Sequence, residues 1–99
     1  MKYLKVKWIH SKGEENEPIL IYSEIDNDGW EKRKVEVYGD GCSSYASNEK
    51  CSGDTKLSLE PIPNIGIINS QDKFSATEIQ MSEFERVWES AQSEHLPGG

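Results

Sequence analysis

Basic side chains are scarce in this 99-residue chain: 11 Lys and Arg stand against 18 Asp and Glu, for a formal net charge of −7. Affinity for nucleic acid comes from Lys and Arg displacing counterions from phosphates, so no nucleic-acid partner is expected and a basic protein partner fits better. Long apolar runs are missing too. No stretch approaches the roughly 18 apolar residues of a membrane-spanning helix. Met1-Lys2-Tyr3-Leu4-Lys5-Val6-Lys7 alternates charge with apolar residues where a signal peptide needs an unbroken apolar block. The expectation is a cytoplasmic protein with no membrane partner.

Cysteine and histidine are almost absent, with two of each. Cys42 and Cys51 lie nine positions apart, and thiols in a cytosolic protein are kept reduced by glutathione. With His10 and His95 they would make up a Cys2His2 set. No close C-x-x-C pair is present, however, and the two histidines lie at opposite ends of the chain, so no metal or other cofactor is expected. Catalytic signatures are also lacking. No serine sits in a G-x-S-x-G context, neither cysteine has a histidine near it in sequence, and no glycine loop is built to cradle phosphate. Close carboxylate pairs are plentiful but arise by chance among so many acids. The chain therefore reads as a non-enzyme; the alternative is a small cytoplasmic enzyme with a carboxylate-lined or metal site on its sheet face.

What is present organises around 19–38, ILIYSEIDNDGWEKRKVEVY. Two β-rich runs, 19–25 and 30–38, flank Asp26-Asn27-Asp28-Gly29, whose residue types reverse a chain. A calcium loop would need a ligand where Trp30 stands, a glycine at Glu31 and a glutamate at Val37, so the cluster reads as a hairpin turn. In the first run Ile19, Ile21, Ser23 and Ile25 share one face, and Leu20, Tyr22 and Glu24 the other. Both faces are partly apolar, as in a central strand. In the second run Glu31, Arg33, Val35 and Val37 share a face. Ile19, Ile21, Val35 and Val37 are the expected core of the hairpin.

Further strands are expected at 3–10, 42–47, 55–59 and 76–80, with Pro18 opening the second strand and Pro61 and Pro63 stopping the fifth. The segment 64–70 suits a single helical turn whose isoleucines help close the core. Ser82 with Glu85 three positions on is a capping-box pattern opening a helix over 83–94, and Phe84, Val87, Trp88 and Ala91 form its apolar stripe. One domain spanning 1–99 follows. Its class is α+β: an antiparallel sheet of four to six strands with a C-terminal α-helix packed on one face.

Charge is concentrated along the chain. Between Ser11 and Glu31 there are seven acids (Glu14, Glu15, Glu17, Glu24, Asp26, Asp28, Glu31) against one base, Lys12. Lys2, Lys5 and Lys7 on the first strand and Lys32, Arg33 and Lys34 on the third can neutralise part of this by cross-strand pairing. A focused acidic rim beside Trp30 has the composition of a protein-binding surface, with aromatics for desolvated area and charges for steering.

At Tyr22-Ser23-Glu24 followed by Trp30-Glu31-Lys32-Arg33-Lys34-Val35-Glu36, with Lys5-Val6-Lys7-Trp8-Ile9-His10 before them, the sequence resembles a family of small bacterial domains of unassigned function. The similarity extends to Pro61-Ile62-Pro63 and to Phe84-Glu85-Arg86-Val87-Trp88. The chain also resembles the immunity proteins of bacterial contact-dependent growth inhibition, which neutralise a toxin domain delivered by a neighbouring cell. That resemblance implies a non-catalytic inhibitor, monomeric when free, that binds one cognate toxin. The toxin would be a basic nuclease, most simply a ribonuclease, whose active site the acidic surface occludes. Glu14, Glu15, Glu17, Glu24, Asp26 and Asp28 would supply the negative field, and Trp30 an anchor.

Overall fold

Strands with apolar residues on both sides need cover on both faces of their sheet, and this chain provides it from two different segments. A computed structural model describes residues 1–9, 17–39, 41–48 and 55–94. The elements run β1 (Lys2–Trp8), β2 (Leu20–Ile25), β3 (Glu31–Val37), β4 (Ser43–Ser47), α1 (Ile65–Asn69), β5 (Phe74–Ile79) and α2 (Met81–Glu94). The strands form one antiparallel sheet in the order β4-β3-β2-β1-β5, with β2 in the middle. The expected α+β class holds: five strands and a C-terminal helix on one face.

On the face under α2, Tyr3, Tyr22 and Val35 pack with Phe84, Trp88 and Ala91. Those three helical residues are the buried part of the stripe read from the sequence, and Val87 packs at its margin. On the opposite face Leu4, Val6 and Ile25 pack with Ala76 of β5 and with Ile68 of α1. The five-residue α1 is opened by Asn64, whose side chain accepts from the Ile67 amide at 2.9 Å. Two isoleucines of the 64–70 segment thus help close the far core, as expected, Ile68 buried in it and Ile65 packed against it.

The most demanding group in the first core is Glu24, only 7% exposed. A carboxylate so poorly hydrated is costly unless a charge and hydrogen bonds compensate it. Arg33 does so with a two-pronged grip, Nε to Oε1 at 2.8 Å and Nη2 to Oε2 at 2.7 Å. Its guanidinium also donates to Glu85 of α2, and it lies 5.0 Å from the Phe84 ring centre and 5.1 Å from that of Trp88. The Arg33 bonds, with a further one from the Tyr3 hydroxyl, hold the Glu24 carboxyl below the usual glutamate range. Burial, and then the neighbouring Glu24 carboxylate, push the Tyr3 hydroxyl upward.

Several expectations are corrected. The last helix begins at Met81, where the Gln80 carbonyl accepts from the Glu83 and Phe84 amides. Ser82 therefore lies inside the helix, past the N-cap position that a capping box requires, and Glu85 turns to Arg33. A register shift between Glu24 and Ile25 turns Glu31 away from Arg33 and Val35, onto the face of Ser23 and Lys34. Ile19 precedes β2 and is 39% exposed, and Ile21 packs in the core opposite that of Val35. The segment 55–59 is not a strand; its partners are side chains rather than a backbone ladder. The last strand spans 74–79 and pairs with β1 at the sheet edge.

Arg33→Leu leaves Glu24 buried without its partner and is expected to destabilise the fold by about 3 kcal/mol in urea unfolding. Glu85→Gln, at a more exposed carboxylate, should cost under about 1 kcal/mol. Because the Glu24 carboxyl is lowered in the folded state, its contribution is full above the unfolded glutamate pKa and is lost as pH falls through the lowered value. A pH series of unfolding should show this acid limb weakened in Glu24→Gln.

Candidate functional site: the tip of the central hairpin

Aspartate favours chain reversal because its carboxylate can accept from amides just ahead of it. Asp26 Oδ1 takes the N–H of Asp28 and that of Trp30, both at 2.9 Å. The backbone closes the same turn, with Asp26 N–H donating to the Trp30 carbonyl at 2.9 Å and Gly29 N–H to the Asp26 carbonyl at 3.0 Å. Gly29 sits at φ +90°, a conformation that any side chain would strain. The Trp30 amide, then that of Asp28 and the nearby Lys32 ammonium hold the Asp26 carboxyl below the usual aspartate range. Lys32 Nζ lies 3.4 Å from Oδ2.

A second segment is fastened beside this turn. Ile62 N–H donates to the Gly29 carbonyl at 2.7 Å, and Ser58 N–H donates to Glu31 Oε1 at 2.8 Å. Glu31, turned to this face by the bulge, also accepts from the Ser23 hydroxyl at 2.7 Å and pairs with Lys34 at 3.1 Å. Lys34 reaches on to the Lys56 carbonyl at 3.0 Å. Behind them the buried Thr55 hydroxyl bonds Ser44 and donates to Glu36. The segment 55–62 is thus a strap, held by polar side chains of β3 and β4 and by the turn itself.

Between the two anchors of the strap, Leu59 is 93% exposed, and Trp30 at the base of the turn is 42% exposed. Asp28 in the turn and Glu60 and Pro61 in the strap are exposed as well. Next to this tip an open cleft of about 470 Å³ runs between the turn and α1, with Leu4, Ile25, Ile62 and Ile65 among its lining, together with Lys2 and Asp26. An exposed aromatic on a pinned turn, with a cleft of mixed polar and apolar lining between that turn and α1, can take a partner's side chains with little ordering cost.

The structure divides the acids singled out in the sequence. Asp28 and Trp30 are exposed at the tip, and Asp26 shapes the tip by holding its amides. Glu24 is inside the core with Arg33 and offers no surface charge. Glu17 is exposed but precedes β2, at the end away from the turn; six strand residues put about 20 Å between the two ends. Glu14 and Glu15 lie outside the described residues, as do Cys51, His10 and His95. Cys42 is exposed. Among the described residues no group of three or more His, Cys, Asp or Glu gathers as a metal site would require, and no helix is long and apolar enough to cross a membrane.

The local pattern does not mark Leu59 and Glu60, because the alternation Thr55-Lys56-Leu57-Ser58-Leu59 suggests a strand. The signal that marks them is Pro61-Ile62-Pro63, which ends any ladder and frees the residues before it to follow the turn.

Residues 2–93 match the model of a family described as a domain of unknown function (DUF6881), and the chain belongs to that family. No curated protein and no solved structure matches it.

Gly29→Ala tests the rigidity of the tip. A Cβ there would lie 3.5 Å from the Pro61 side chain at a positive φ, so the strain is in the backbone rather than in crowding. The expected loss is about 1 to 2 kcal/mol, together with faster amide exchange at Ile62 and Trp30.

Proposed function

We propose that this chain is a non-catalytic partner-binding protein that neutralises a cognate toxin domain of contact-dependent growth inhibition, most simply a basic ribonuclease. The observation that carries the proposal is Trp30: a large aromatic, 42% exposed, on a turn pinned from both sides. Tryptophan is among the residues that dominate binding energies, and pre-ordering lowers the entropy lost on association. Leu59 and Pro61 are exposed apolar groups on the strap fastened to this turn, and Asp28 and Glu60 are exposed acids on the turn and the strap.

Charge supports the reading at longer range. A chain of formal charge −7 attracts a protein whose active site is built to attract phosphate, and speeds their encounter. Lys2 and Lys32 lie near the tip, Lys32 against Asp26, so the local field is moderate. The aromatic therefore supplies contact and the overall charge supplies steering. Covering the nuclease cleft with the tip would exclude RNA without any chemistry by this chain.

The test is titration of the chain against the toxin domain encoded beside it, with affinity and residual nuclease activity both read. Trp30→Ala should weaken binding by about 2 kcal/mol, roughly 30-fold. Asp28→Lys should slow association a few-fold, and added salt should do the same. Absence of a complex, or a complex indifferent to Trp30, Asp28 and salt, would refute the proposal.

A further inference from the structure

Strands of seven residues, such as β1 and β3, are about 23 Å long, and a single helix laid across them covers only about 10 to 12 Å of that length. Here α2 lies across the strands on the half of the sheet nearer the hairpin tip. Its Phe84 ring meets Tyr3 of β1 at 5.3 Å, and its Trp88 ring meets Tyr45 of β4 at 5.2 Å. On the other half of the same face the next side chains along each strand border two open hollows. One, of about 510 Å³, is lined by Lys5 and Lys7, by Ser75 and Thr77 paired with them across β1 and β5, and by Leu20 and Glu83. The other, of about 340 Å³, is lined by Leu20, Tyr22, Val37 and Ser43, with Arg86 and Val87 of α2.

Leu20 borders both hollows, so they run together as one trough beside α2 from β5 to β4. Glu83, Val87 and Ser90, spaced four and three apart along one flank of the helix, form its wall. Five strands make it about 19 Å long. A segment lying in it crosses the strands, where an extended chain finds no ladder for its amides, whereas a helix satisfies its own; the length suits about 13 helical residues.

The charge of the trough opposes that of the molecule. Lys5, Lys7 and Arg86 stand against Glu83 in its lining, in a chain whose formal charge is −7. None of these three cations is in an ion pair among the described residues, and Lys7 and Arg86 are exposed. Between them Leu20, Val37 and Val87 are half-buried apolar groups. We propose that the trough docks an acidic amphipathic helix of a partner protein, laid beside α2 with its apolar stripe on Leu20, Val37 and Val87 and its carboxylates toward Lys5, Lys7 and Arg86. Leu20 opens β2 at the end away from the turn, so this surface is separate from Trp30 and the inference does not rest on the toxin reading.

The probe is a synthetic helical peptide of about 13 residues with a leucine stripe flanked by glutamates, compared with the same peptide carrying lysines in their place. Each is titrated into the isotopically labelled chain, and amide and methyl shifts are read. The glutamate peptide should bind about tenfold or more tightly than the lysine peptide, with shifts at 5–7, 20–22, 37 and 83–90 and none at 26–31. Lys7→Glu combined with Arg86→Glu, at exposed positions where the fold should be retained, should weaken it about tenfold. Equal affinity for the two peptides, no binding of the glutamate peptide, shifts centred elsewhere, or indifference to the double reversal would overturn the proposal. Shifts at the same residues on concentrating the chain without peptide would make a second copy the occupant and overturn it as well.

Discussion

The grip of Arg33 on Glu24 is the contact from which the rest of the molecule takes its arrangement. Facing each other across β2 and β3, the two residues fix the register of the central hairpin one step before it bulges. The same guanidinium reaches Glu85 and lies against Phe84 and Trp88, which fastens α2 over the sheet. Tyr3 of β1 bonds the same carboxylate. Three strands and a helix therefore meet at one buried ion pair, where loss of either partner leaves a charge that the core cannot hydrate.

The bulge next to that pair carries its influence to the other face. With one residue out of step, Glu31 turns from the helix side to the side of Ser23, where it binds the Ser58 amide and Lys34. Those bonds hold the strap, the strap meets Gly29 through Ile62, and the turn is then fixed by Asp26 from within and by the strap from without. Trp30 is exposed on the turn so held, and Leu59 is exposed between the strap's anchors at Ser58 and Ile62. Charge lies within this construction more than on its surface: Lys32, Arg33 and Lys34 answer Asp26, Glu24 and Glu31 in turn.

Periodicity made much of this legible. The central place of β2 follows from apolar residues on both its faces, and the stripe Phe84, Val87, Trp88, Ala91 identifies the covering helix. Asp-Asn-Asp-Gly identifies the turn. What pattern could not show depends on single long-range partners. Nothing local distinguishes Glu85 as a capping residue from Glu85 as a ligand of Arg33, 52 positions away. A bulge reverses the face of Glu31 without leaving a mark in the alternation, and the strap alternates like a strand although side chains hold it. The acidic run looked like one surface because its members are close in sequence, yet β2 carries Glu17 to one end of the sheet, Asp28 to the other and Glu24 to the interior.

The hairpin tip, strapped and aromatic, is the surface proposed to receive a partner. Residue-resolved amide exchange of the chain, alone and with the proposed toxin partner, tests this in one experiment. Binding at the tip predicts new protection concentrated in 26–31 and 58–62, with the outer surface of α2 and the β5 edge unchanged. Protection confined to α2 or to β5, with the tip exchanging as it does in the free protein, would contradict it.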